Sequence, residues 1–506
     1  MKLSNQKIVL AIFFLVVNMF AQENRDFFSR LDEQYSLEKT LQKPIYYNPA
    51  FMSDYSIYSF SDFQINYNQH KKDDYLLQEG GKEKGFAVQG KSYKKLSKGQ
   101  NVWGEVAYRN FDIYDVQWNL NVDKDKIEPY FIADSSKGDR KYEVYFFKGG
   151  YVKSFSKIDV GTEFSYEAKM GYGQSDPRPK STSSDLKLNV GASYKLNIPY
   201  KVGLYAQVEK YNQDSSIDFA SLIEKSTIYQ MTGFSDFNSY FSYNSMNAIY
   251  YGYTYKVGGS FKQFEKNNLY ACFAISSNKL HKAVTLSTDY DINRLETNAY
   301  QLSFSKFFDF DNHRLGILFN QTHQQKDGYD IYYTNNKEIL TKLLEKKQYK
   351  YKIDNSRFDI LYTYKMNRAT LSLNGVYELE KVSESKEESP LFKKITAHHF
   401  GLVASYNYKV NNRDNLMFTA SVFQRKVSHS KAKLYVDNTT KESLRNWLDN
   451  DFKIVSNDYQ NAKMSLRYNR QIDEVFGGFI GVDYNYLNYS DLGANNSYSL
   501  RVGITF

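Results

Sequence analysis

From about residue 55 to its end the chain alternates between apolar and polar positions. In the last segment Tyr498, Leu500, Val502, Ile504 and Phe506 fall on one side, and Ser499, Arg501, Gly503 and Thr505 on the other. Phe63, Ile65 and Tyr67 alternate with Gln64 and Asn66, and Val160 to Ala168 alternate with Gly161, Glu163, Ser165 and Glu167. The same pattern returns around Phe358–Tyr364, Leu402–Tyr408 and Ile480–Tyr486. A period of two sends successive side chains to opposite faces of a strand. Each run therefore has one face suited to lipid and one suited to a polar lumen. A soluble sandwich can use such runs too, but its inward face is usually richer in Val, Leu and Ile than in Tyr.

The connections between runs alternate as well. Short links fall at about 96–101, 154–158, 197–200, 264–268, 308–313, 366–368, 410–414 and 470–474. Long links fall at about 68–84, 112–140, 171–184, 212–248, 278–297, 323–356, 380–397, 427–458 and 488–497. Nine long and eight short links predict 18 strands, with 16 as the alternative count. The expected fold is all-β: a transmembrane antiparallel β-barrel with long external loops and short periplasmic turns. Residues near Ser136, Ser183, Asn335 and Thr440 are expected outside, and Asn267, Asn367 and Asn412 in the periplasm.

Some segments break the period. Phe27, Phe28, Leu31 and Tyr35 have helical spacing, and Tyr46-Tyr47-Asn48-Pro49-Ala50 reads as an extended lead-in to the first strand, a segment that can pack in the barrel mouth. Three loop pieces read as amphipathic helices: Ile339, Leu340, Leu343 and Leu344; Leu444, Trp447, Leu448 and Phe452; and, more weakly, Ser221–Gln230. Such pieces either fold inward as a constriction or cap the barrel.

The N-terminus sharpens the picture. Lys2 and Lys7 precede an apolar run from Ile8 to Val17, too short to span a bilayer, and cleavage after Ala21 fits a signal peptide. The expected organisation is a signal peptide over 1–21, a periplasmic segment with a short helix over 22–54, and a barrel over 55–506 in the cell outer membrane. Tyr (47 residues) and Phe (36) far outnumber Trp (3). Tyr suits a membrane interface, with an apolar ring and a wet hydroxyl. The terminal Phe506 is the expected assembly signal for barrel-assembly machinery. The net charge of +9 is not gathered on any nucleic-acid-binding motif. Lysines concentrate instead in segments read as inter-strand, such as Lys91–Lys98 and Lys342–Lys352, where lipopolysaccharide or phospholipid is the expected anionic neighbour.

Three stretches resemble an uncharacterised outer-membrane β-barrel family of Bacteroidota-type bacteria. They are Asn48-Pro49-Ala50; Pro129-Tyr130-Phe131-Ile132-Ala133-Asp134 with Lys137-Gly138-Asp139 and Gly149-Gly150-Tyr151; and Asp176-Pro177-Arg178-Pro179-Lys180 with Ser184-Asp185-Leu186. In the second stretch Lys137 stands where the family usually has Gly. The resemblance implies fold and location and carries no activity. Read physically, the prolines stiffen the loop around Arg178. Arg178 is then expected to pair with Asp134 or Asp139, anchoring a lid over the mouth.

No motif for catalysis, metal or cofactor binding is found. His398 and His399 are strand neighbours and point to opposite faces. There is no nucleophile elbow, HExxH motif, paired-cysteine site or phosphate-cradling loop. Three function classes follow, in order of support. The first is a loop-occluded accessory component or scaffold for a surface lipoprotein or a TonB-dependent transporter. The second is a passive or gated solute channel, and the third an outer-membrane enzyme.

Overall fold

The structure, a computed structural model, describes residues 27–506 apart from 98, 198, 221–225, 245–246, 265–267, 287, 335–339 and 437–439. The alternation is realised as an 18-stranded antiparallel sheet running from Phe60–Lys72 to Ala494–Thr505. The last strand returns to the first, with Thr505 opposite Asp62 and Asn495 opposite Lys72. The sheet is thus a closed barrel without free edges, and the 16-strand count is set aside. Phe506 completes the seam. Its backbone N–H donates to the Ser61 carbonyl at 2.9 Å, and its ring lies 5.7 Å from that of Phe476.

The apolar faces point outward. Ile65, Phe164, Leu204, Tyr255, Leu302, Ile360, Leu402, Val482 and Val502, drawn from all round the barrel, are exposed, Leu204 to 69%. A continuous apolar belt of this kind needs lipid around it. Among the described residues no helix is long and apolar enough to cross a membrane.

Eight connections at one end, the turn end, are short, from 98–99 to 472–476. The nine at the other, the loop end, are less uniform than the sequence suggests. Only 117–137, 219–247 and 434–458 are long loops. The segments read as links at 171–184, 278–297, 323–356 and 380–397 are mostly strand, because the ladders of Arg178–Lys195, Asp289–Phe310, Lys342–Lys365 and Ala369–Lys386 run well past the apolar belt. Beyond the belt the outer face is wet and polar, and the inner face meets polar lumen in some places and the infolded loops in others, so the period-two signal fades although the hydrogen bonds continue. Ser183 accordingly lies within a strand, as do Lys91–Ser97 and Lys342–Lys352. Ser136 and Thr440 lie in loops, and Asn367 and Asn412 in turns. Leu343 and Leu344 are exposed strand residues, not a helix face. Tyr229–Gly233 is a short strand, which replaces the expected helix end there. The signal-peptide reading, residues 221–225, Asn267, Asn335 and Ile339 lie outside the described residues. The helix expected around Trp447 is present as Glu442–Val455.

The N-terminal segment is helical throughout. Helices Phe27–Tyr35 and Leu37–Gln42 are followed by 3-10 turns Lys43–Tyr47 and Pro49–Asp54. The extended lead-in expected over Tyr46–Ala50 is therefore replaced by tight turns, initiated by Pro44 and Pro49 at their starts.

Candidate functional site

The polar faces of the strands point into the lumen, and chain from both ends of the barrel fills it. At the turn end the filler is the N-terminal segment. Phe27 and Leu31, one helical turn apart, bury against Phe60. The Tyr35 hydroxyl bonds Asp62, and Arg467 joins both, its guanidinium 3.0 Å from Asp62 and 3.5 Å above the Phe479 ring. Across the mouth, Asp32 accepts from Thr370 at 3.1 Å and from Asn407 at 2.8 Å, and Glu38 pairs with Arg314 at 3.0 Å. These partners lie on strands far apart around the wall, so the segment crosses the opening.

The Asn48-Pro49-Ala50 stretch has a defined seat. The Asn48 side chain accepts from the Ala50 N–H at 3.0 Å and donates to the Leu204 carbonyl at 3.2 Å. Beneath it lie Gly161, Gly191 and Gly203 on three adjacent strands. A Cβ at Gly191 would stand 2.0 Å from the Asn48 side-chain oxygen, and one at Gly161 would stand 2.4 Å from the Pro49 backbone. Only glycine admits so close an approach. Next to the seat, the fully buried Lys201 bonds Asp159, Ser53 at 2.8 Å and Asp54 at 2.7 Å. Burial opposes the charge on Asp54, but Lys201, followed by Lys262, holds its carboxyl below the usual range.

At the loop end the three long loops fold inward and share one apolar core with the upper wall. Trp118, Tyr130, Phe131 and Ile132 come from the first loop, Tyr229, Met231 and Phe241 from the second, and Leu444 and Trp447 from the third. They pack on Tyr250, Leu280, Val284 and Leu295 of the strands. Trp118 and Trp447 stack with ring centroids 4.9 Å apart. Short strands Ile132–Ala133, Tyr229–Gly233 and Asp236–Phe237 form a small sheet within this filling. Wall lysines hold its backbone. Lys386 donates to the Thr232 carbonyl at 3.0 Å and Lys282 to that of Phe131 at 3.5 Å.

Between the two fillings the wall carries paired charges. Glu163 accepts from the Trp103 indole at 2.7 Å and pairs with Lys148 at 3.1 Å. Arg357 grips Asp359 at 2.7 Å, and Arg501 pairs with Asp483 at 2.7 Å. Both signs balance locally, so the interior is neither an anion nor a cation funnel.

The residues expected to anchor a lid are not brought together. Arg178 opens the strand Arg178–Lys195 and pairs with Asp176 at 3.1 Å. Asp134 is buried and accepts from the Ser136 N–H at 2.6 Å, closing its own turn, while Asp139 accepts from the Asp115 N–H at 3.1 Å. Arg178 is held by its nearest carboxylate, two residues away, which leaves nothing for the neighbouring loop. A residue that the sequence reading missed, just ahead of the Pro129 stretch, does reach the other motif stretch. Lys126, just before Pro129, bonds Asp185 of Ser184-Asp185-Leu186 and Glu209 at 3.2 Å. The usable signal was Asp185 itself, a carboxylate on an inward position of a strand.

The histidines do not converge. His398 meets Tyr377 outside, and His399 faces Tyr459 inside. Among the described residues no group of His, Cys, Asp and Glu could hold a metal ion.

One group makes the loop-end filling pH-sensitive. Asp451, on the helix Glu442–Val455, accepts from the Trp447 indole at 2.6 Å and the Leu77 N–H at 3.3 Å. Burial pushes its carboxyl up to about 6 despite these bonds. The docked group holds its proton more tightly than a free carboxyl, so docking is strongest near pH 4 and below and weakens as pH rises through about 6. Hydrogen exchange of this helix, corrected for intrinsic rates, should be about tenfold faster at pH 7 than at pH 5, and Asp451→Asn should abolish the difference. Protection that grows with pH would contradict this.

Comparison with solved structures finds bacterial receptors for ferric complexes and siderophores. The ferric preacinetobactin receptor of Acinetobacter baumannii overlaps 88% of this chain and 80% of its own, at 8% identity and a TM-score of 0.39. The siderophore receptor PiuA of the same bacterium overlaps 89% and 82%, at 7% identity and 0.42. A mutant of the ferric enterobactin receptor from Pseudomonas aeruginosa, in complex with enterobactin, overlaps 88% and 81%, at 7% identity and 0.39. No curated protein matches the sequence. A family model does: it begins at Pro49, on the glycine seat, and runs to the closing Phe506, so the chain belongs to the family of unknown function DUF6850, matched over residues 49–506.

Proposed function

We propose that the chain is a multi-pass protein of the cell outer membrane of a Bacteroidota-type bacterium, with the loop end at the cell surface and both termini in the periplasm. In this reading it works as a closed barrel, an accessory component or scaffold for a surface lipoprotein or a TonB-dependent transporter. The observation that carries the reading is closure at both mouths, by Phe27–Asp54 below and by the three-loop core above. A diffusion pore needs a continuous wet path, and here two separate fillings interrupt it. Catalysis is no part of the proposal. The outcome expected for native protein drawn gently from membranes is a stoichiometric co-purifying partner and no steady current in a planar bilayer. A lone barrel with ohmic open-pore current would sink the scaffold reading.

A gated channel is the second reading, favoured by one observation. Glu105 and Arg109 point into the lumen between the fillings and remain exposed there, so water occupies the middle of the barrel. Current that is absent at rest and appears on addition of a solute would support this reading over the first.

A further inference from the structure

Lysines and serines cluster on the outer wall above the apolar belt, on four neighbouring strands, three of which carry the lysines. On Lys342–Lys365 and Ala369–Lys386, Lys352 stands opposite Ser383 and Lys350 opposite Ser385. On the next two strands, Phe392–Lys409 and Asp414–Lys433, Ser383 stands opposite Lys394, Lys394 opposite Lys431, and Phe392 opposite Lys433. Directly opposed side chains lie about 5 Å apart at Cβ, so these cations and hydroxyls form one continuous surface. All of them but Lys433 line a cleft of about 740 Å³ with Pro390 and His429.

These positions share the register of the outward apolar residues. Lys352 lies on the same strand face as Phe358 and Ile360, and Lys394 on the same face as Phe400 and Leu402. The patch thus begins just past the apolar residues, on the wall that meets lipid. Among the described residues none of Lys350, Lys352, Lys394, Lys431 and Lys433 is in an ion pair. The outward carboxylates nearby are taken: Asp327 by Lys347 at 2.6 Å and Asp354 by His323. Five like charges side by side repel one another, a cost that only an anionic partner offsets. Directly over an apolar belt, that partner must combine phosphate with acyl chains.

We propose that this patch is a binding site for the phosphorylated head group of an outer-leaflet glycolipid of lipid A type, whose acyl chains lie along the belt below. The assignment rests on the outer-membrane placement proposed above and is independent of the scaffold role.

Delipidated full-length protein in detergent is titrated with bisphosphorylated lipid A, with the same lipid dephosphorylated, and with inorganic phosphate, and complexes are read by native mass spectrometry. The bisphosphorylated form should bind about tenfold to a hundredfold more tightly than the dephosphorylated form. Lys352→Gln/Lys394→Gln/Lys431→Gln should erase that preference, and the corresponding triple Arg variant should keep it. Equal binding of the two lipids by the wild type would overturn the site without recourse to any variant. So would an undiminished preference in a folded Gln variant, judged by heat-modifiable electrophoretic mobility. Displacement by millimolar inorganic phosphate would show a free-anion site and overturn the lipid assignment. Failure here leaves the partner and conductance measurements above untouched, and an inner-membrane or soluble location on fractionation would separately remove the placement.

Discussion

Removing Phe27–Asp54 together with the 117–137 loop is expected to turn a silent barrel into one with large, porin-like conductance steps, whereas removing either alone leaves it close to silent. The reason is geometric. The N-terminal segment reaches Asp62, Arg314, Asn407 and Arg467 on separate parts of the wall, so it spans the turn-end mouth without help from the loops. The 117–137 loop contributes Trp118, Leu120, Ile127, Tyr130, Phe131, Ile132 and Ala133 to the loop-end core, more than either of the other loops. Losing it should loosen that core throughout, since the remaining members lose their packing partners. A point change gives the same test without a truncation. Gly191→Val places carbon where the Asn48 side chain lies and should unseat the N-terminal segment, so combined with the loop deletion it should also open the barrel. Full conductance from the loop deletion alone would show that the lower filling does not close the mouth.

Lys201→Met is expected to be the most damaging single substitution at the turn end. Lys201 and Asp159 are fully buried, and Asp54 is largely so. Without the ammonium, Asp54 loses its only ion pair among the described residues, and the buried Asp159 keeps only the ion pair with Lys195 at 3.7 Å. Breaking a buried pair in this one-sided way costs about 3–5 kcal/mol. The segment 43–56 should then lose hydrogen-exchange protection, and the midpoint of heat-modified mobility should fall. Lys201→Met/Asp159→Asn removes one of the stranded charges and should recover part of the loss. Unchanged protection in the single variant would mean that the cluster is hydrated and does not hold the segment.

The barrel itself was legible because lipid imposes a simple rule on each strand. Runs such as Val160–Ala168 and Ile480–Tyr486 must show an apolar face, and they do so where the belt is. The helix carrying Leu444, Trp447 and Phe452 was legible for a similar reason, since its apolar side faces the core. The rule says nothing beyond the belt, which is why the strand containing Ser183 and the one containing Leu343 read as loop. The lid contact was half legible. Lys126, three residues ahead of the Pro129 stretch, reaches Asp185, 59 residues away, while Arg178 pairs with Asp176 beside it. Gly161 reads as a small polar-face residue of its strand, and neither Gly191 nor Gly203 stands out in the sequence. Their purpose appears only when Asn48 and Pro49 are laid across them.

The position of Phe27–Asp54 in the chain bears on how the barrel is made. These residues leave the ribosome before any strand, and their partners follow in sequence: Asp62 first, then Asn101, whose side chain donates to the Ser53 carbonyl, then Asp159 and Lys201, then Arg314, Thr370 and Asn407, with Arg467 last. The contact between Tyr35 and Arg467 joins residues 432 apart in sequence, so it closes nearly the whole chain into one loop and needs the last strands to have arrived. Until the final strands arrive, Tyr35 and Asp62 lack their arginine, and a half-built wall remains distinguishable from a finished one.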